Sequence, residues 1–268
     1  MNMENLELSI LIPAFFAGML VLATHVPLGQ QVLNRGIVFI DLAIAQVAGL
    51  GVTAASALGF EAEGWRVQVA AITAALAAAV LLTWTEKIWP EVQEALIGVL
   101  FVVAACVELL LLANNPHGGE HLKDLLVGQI LWVQAQQLIP VAVLYAVALA
   151  AWFGLRKWLG PIGFYVLFAL VVTQSVQLVG IYLVFASLII PALAARRFAE
   201  PLRLAIGYGV GVVGYVSGLV VSALFDLPTG AVIVVTLLGT MILAVLLALA
   251  VPKGARATAT DKVAHAAA

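Results

Sequence analysis

The chain has 268 residues, 64% of them hydrophobic and 10% charged, with a mean hydropathy of +1.15. A soluble domain is nearer half apolar and a quarter charged. A single globular core of this length cannot bury so much apolar side chain, so lipid must solvate much of it. The net charge of −2 argues against a nucleic-acid partner, and Cys106, the only cysteine, excludes an intramolecular disulfide.

The N-terminus, MNMENLEL, is acidic and lacks the basic start of a signal peptide, so the first apolar segment is expected to stay as a span. A span needs about 20 mostly apolar residues. The segments that qualify are Leu6–Val26, Ile37–Leu58, Arg66–Trp84, Val92–Ala113, Gln137–Gly154, Ile162–Val179, Gly180–Ala195, Leu204–Leu224 and Ala231–Val251. Ile162–Val179 and Gly180–Ala195 touch. A single helix through both would be about 50 Å long, against a hydrocarbon core of about 30 Å. A break near Gly180 is therefore expected. The reading is an all-α, polytopic transmembrane bundle of about nine spans, eight if one central segment fails to cross.

Basic residues concentrate in cytoplasmic loops. With nine crossings and the N-terminus outside, Arg35, Lys87, Arg156, Lys157, Arg196, Arg197, Arg203, Lys253, Arg256 and Lys262 all fall inside. Only Arg66 and Lys123 break the rule. Merging the central pair would put one of the two basic sets outside. Short connections carry expected breakers: Pro27–Gly29 after the first span, Trp89–Pro90 before the fourth, Gly160–Pro161 before the sixth, and LPTG at 227–230. Residues 1–251 read as one membrane domain, and 252–268 as a disordered cytoplasmic tail. Glycines at 207, 209, 211, 214 and 218 suit close helix packing, within one subunit or between two.

No phosphate loop, dinucleotide glycine signature, G-x-S-x-G elbow, H-E-x-x-H or C-x-x-C occurs. No catalytic residue and no permanently bound cofactor is expected. An acid at bilayer depth is costly unless paired, and marks a functional position by default. Asp41 lies one turn into the second span, either as a functional acid or as a helix-end carboxylate that reaches cytoplasmic water or pairs with Arg35. Gln46 is offset from it by about 140° around the helix. Glu108 lies past the middle of the fourth span, as a functional acid or a hydrogen-bonded packing residue. Glu94, in the first turn of that span, complements the helix dipole. His117-Gly-Gly-Glu120-His121, in an outside loop, offers two imidazoles and a carboxylate, a ligand set for zinc or manganese. The same loop reads equally as a solvated segment that binds nothing.

Several stretches in order resemble one family. GIYLVFASLIIPALAARR at 180–197 resembles the signature of the permease subunits of bacterial zinc, manganese and iron ABC importers. PLG at 27–29, followed by Arg35 and Asp41, resembles the family's opening turn, arginine and aspartate. EALIG at 94–98, LLVGQILWV at 125–133 and Asp226-x-Pro228-x-Gly230 resemble later steps. The resemblance covers nearly the whole chain.

It implies a type II importer-like fold and a homodimeric permease in the bacterial inner membrane, surrounded by lipid. Its implied partners are a cytoplasmic ATPase subunit and a periplasmic or lipid-anchored metal-binding protein. A divalent metal, zinc or manganese first, would be cargo. On this reading Asp41, with Gln46 nearby, is the transit ligand, and His117, Glu120 and His121 receive the ion. Glu108 is a second pore acid, and Arg196, Arg197 and Arg203 meet the ATPase. Two departures stand out. The family's D-x-L-x-H pattern keeps its aspartate here, but Ala45 or Gln46 stands in place of the histidine. The segment before the sixth span is also shortened to FGLRKWLGP. The alternatives are a permease of the same architecture for another cargo, or a stand-alone ion-coupled carrier using Glu108.

Overall fold

The computed structural model describes residues 8–60, 64–112, 126, 128 and 130–250. Among them the regular structure is entirely helical. Four helices come first: α1 (Leu8–Arg35), α2 (Ile40–Ala57), α3 (Trp65–Ile88) and α4 (Gln93–Leu112). A helical run over Ala135–Val179 breaks at Gly160, whose φ of 55° and ψ of −168° lie outside the helical region. That break divides it into α5 (Ala135–Leu155) and α6 (Gly160–Val179). Helices α7 (Ile181–Ala195), α8 (Glu200–Phe225) and α9 (Thr229–Ala250) complete the order.

Eight of these helices are long and apolar enough to cross a membrane. The protein is a multi-pass membrane protein, and every expected span has its helix. The exception in length is α7, with 15 residues. At 1.5 Å per residue it reaches about 22 Å, short of the hydrocarbon core. The break before it is real: Gly180 has φ 82° and ψ 160°, closing α6 through its N–H to the Val176 carbonyl. Two helices that touch in sequence are thus separated by one glycine.

The first span differs from expectation. Helix α1 runs through Pro27–Gly29 and ends at Arg35. In lipid there is no water to take over freed backbone groups, so a helix is held through a proline that would end it in solution. Neighbours fix this stretch closely: a Cβ on Gly29 would overlap the Leu188 carbonyl of α7.

The core is formed chiefly by α1, α2, α6 and α7, whose buried faces include Val21, Leu28, Ile44, Phe168, Leu183 and Leu188. The glycines of α8 pack inside the subunit at four positions: Gly207 faces Val26, Gly211 faces Leu22, Gly214 faces Leu237 and Gly218 faces Ile233. Polar pairs tie the bundle across helices. Ser187 and Tyr215 exchange a hydrogen bond at 2.8 Å, Tyr145 bonds Ser175, and the Tyr208 hydroxyl donates to the Ala23 carbonyl at 2.9 Å.

One end of the bundle gathers several helix termini. Arg35, at the end of α1, meets Glu86 of α3 at 3.5 Å, with its guanidinium 4.4 Å from the centre of the Phe164 ring of α6. Gln93 of α4 donates to the Leu82 carbonyl at 3.0 Å and to the Tyr165 hydroxyl at 3.4 Å. This is the end that the distribution of basic residues places in the cytoplasm.

Candidate functional site

Helix α2 carries the acid and the amide singled out from the sequence, and the structure separates them. Asp41, in its first turn, is 1% exposed. Neither carboxylate oxygen reaches a hydrogen-bond partner. The group faces the N–H groups of residues 41 and 42 in the opening turn without completing a bond to them. Neither form of the helix-end reading is met: at 1% exposure the carboxylate does not reach water, and Arg35 is committed to Glu86 and Phe164.

Glu94 holds the start of α2 in place. Its Oε1 accepts the Phe39 N–H at 3.2 Å, so it serves a second helix as well as the first turn of its own. The Phe39 ring in turn stacks on Phe185 of α7, with centroids 6.2 Å apart and planes 10° apart. The opening of α2 is thereby clamped between α4 and α7.

Gln46 turns to a different partner. Its amide donates to Oε2 of Glu108, and the Thr53 hydroxyl donates to Oε1 of Glu108 at 2.8 Å. Gln46 and Thr53 are seven residues apart, two turns, and so share one face of α2. Glu108 is 1% exposed, Thr53 2% and Gln46 3%. The three side chains fasten α2 to α4 inside the bundle. Thr53 had no signal in the sequence, since a threonine in a small-residue helix is ordinary. Replacing Glu108 by leucine is expected to lower stability by about 2–4 kcal/mol, because two buried donors lose their acceptor. Glu108→Gln keeps acceptor oxygen and is expected to cost about 1 kcal/mol or less. Thermal unfolding of the purified variants measures the difference, and equal melting temperatures would remove the fastening role.

His25 of α1 is fully buried, with its Nδ1 2.9 Å from the Val21 carbonyl and its Nε2 unpartnered. It is the one histidine among the described residues. His117, Glu120 and His121 lie outside them, as does the tail at 252–268. Among the described residues no three histidine, cysteine, aspartate or glutamate side chains gather as a metal-binding group. Arg196 and Arg197 are exposed at the end of α7. Arg203 is half-buried and donates through Nε to the Phe198 carbonyl at 3.0 Å, fixing the turn into α8.

The fold has a solved counterpart. PsaBC from Streptococcus pneumoniae, in complex with a Fab, superposes with a TM-score of 0.69 over 88% of this chain and 90% of that one, at 23% identity. An uncharacterized membrane protein of Synechocystis sp. is 26% identical over 242 residues, covering 82% of this chain and 84% of its own. The sequence model of the ABC 3 transport family matches residues 7–164 and 149–248. Those two stretches take in every helix from α1 to the last turns of α9, and the chain belongs to the ABC 3 transport family.

Proposed function

We propose that the chain is the permease subunit of an ATP-binding-cassette importer that moves a divalent transition metal ion, zinc or manganese. The observation that carries this reading is Asp41. A carboxylate 1% exposed, with both oxygens unpartnered, stands in the second span of a member of a transport family. Such a group is expensive to keep for packing alone. As a ligand presented to a passing cation, it has a use. Glu108, in contrast, is already bound to Gln46 and Thr53 and fits the role of a structural acid as well as that of a second pore acid.

The remaining parts of the machine belong to other chains. A cytoplasmic ATPase would drive the cycle, and an extracytoplasmic metal-binding protein would deliver the ion. A second copy of this permease would complete the path. Arg196 and Arg197 are exposed at the turn where the ATPase would dock, and the Arg203–Phe198 bond ties that turn to the start of α8.

The test is uptake of radiolabelled zinc, manganese, iron and cobalt in cells carrying the complete operon, with and without this gene. Accumulation of at least one metal that depends on the gene is the expected result. No gene-dependent accumulation of any of them would turn the reading towards another cargo.

A further inference from the structure

Three shielded carboxylate oxygens at the start of α2 have no partner. Two are Oδ1 and Oδ2 of Asp41; the third is Oε2 of Glu94, on a side chain that is itself partly exposed. Both sit at the opening of α2: Asp41 is in its first turn, and Glu94 accepts the N–H of Phe39, the residue that precedes that turn. They reach this place from different helices. Glu94 opens α4, and its Oε1 is held by the Phe39 N–H two residues before Asp41. That bond fixes the carboxyl group and leaves Oε2 as its free oxygen.

Among the described residues neither acid has an ion-pair partner. Arg35, six residues before Asp41, is engaged by Glu86 and Phe164. Two carboxylates at one helix start, one of them fully buried, are costly without a cation to share. Helix first-turn N–H groups offset part of that cost, and the three oxygens still lack hydrogen-bond partners. Asp41 is the decisive group, because its burial removes water as the partner that a surface acid would have.

We propose that Glu94 is a second ligand of the Asp41 site, which takes a hard divalent cation of the manganese(II) type through carboxylate oxygens. The inference rests on the reading of Asp41 as a transit ligand, to which it adds a partner and a donor set. Carboxylate oxygen suits magnesium, calcium and manganese, whereas imidazole and thiolate suit zinc. Helix α2 carries no histidine, and Gln46 is turned to Glu108. The described histidine, His25, is on α1 with one ring nitrogen against its own helix backbone. Among the described residues the donors gathered at the start of α2 are therefore all oxygens.

The experiment is manganese(II) binding to the full-length chain in lipid nanodiscs, followed by the electron paramagnetic resonance signal of free manganese(II) chloride. Wild type is compared with Asp41→Asn and Glu94→Gln. Glutamine keeps a carbonyl oxygen for the Phe39 N–H, and thermal unfolding without metal checks that the α2 start survives. Wild type is expected to bind, and each variant to bind about 10–100-fold more weakly. Wild-type affinity in Glu94→Gln, with loss in Asp41→Asn, would show that Glu94 only anchors α2; the proposal then fails and the reading of Asp41 stands. Wild-type affinity in both variants would overturn the proposal and the Asp41 assignment together. No manganese(II) binding by wild type would overturn the oxygen site, while metal uptake in cells would still decide the transport reading.

Discussion

Asp41→Ala is expected to reduce metal uptake to the level of cells lacking the gene, while the protein reaches the membrane in normal amount. The argument starts from what the side chain does not do. Both its oxygens lack hydrogen-bond partners, so truncation strands no donor elsewhere. A residue that packs for stability loses stability when cut back. A buried acid kept for a ligand gains or holds it, because the desolvation cost leaves with the carboxylate. The melting temperature of purified Asp41→Ala without metal should therefore equal or exceed that of wild type. Loss of uptake with a preserved or raised melting temperature is the signature of a cargo ligand. Uptake at the wild-type level would end the role of Asp41, and lost uptake with a lowered melting temperature would make it a packing residue.

The helices were legible because lipid enforces a simple rule. A span must satisfy its own backbone and offer about 20 apolar residues. Gly180 was legible as a break because one helix through both central segments would overshoot the bilayer, and Gly160 because Gly-Pro breaks a helix. The run of α1 through Pro27–Gly29 was not, because breaker chemistry learned from solvated loops assumes water to accept what proline frees. The site divides along a similar line. Asp41 and Glu108 stood out as acids at depth, which is a local property of the sequence. Their partners did not. Gln46 and Glu108 are 62 residues apart, Thr53 and Glu108 are 55, and Phe39 and Glu94 are 55. Pairing over such distances depends on how α2 packs beside α4. Glu94 shows the limit most clearly, since dipole complementarity within its own helix gave a complete account of it. Its bond to the start of another helix appears only in three dimensions.

Gly128→Ala is expected to cut the recovery of folded, monodisperse protein to about a tenth of wild type or less. Two separate costs fall on this position. Its φ of +70° lies in the left-handed region, where a Cβ adds about 1–2 kcal/mol. That Cβ would also overlap the Val179 carbonyl and the Gly180 nitrogen, backbone atoms that have no rotamer by which to yield. The residue it would strike is the break between α6 and α7, so relief would have to come by shifting the short helix that packs against α1. The two costs together reach about 4–5 kcal/mol, the range reserved for strain and overpacking, against a typical total stability of about 5–15 kcal/mol. Gly36 supplies the control. Its φ is +71°, and a Cβ there would meet nothing within 4 Å. Gly36→Ala pays the backbone cost alone and should lower the melting temperature modestly without loss of recovery. Size-exclusion profiles of the two variants from equal membrane mass separate the terms. Equal recovery would mean that the loop before α5 can withdraw from Gly180, and that the α6–α7 break does not depend on it.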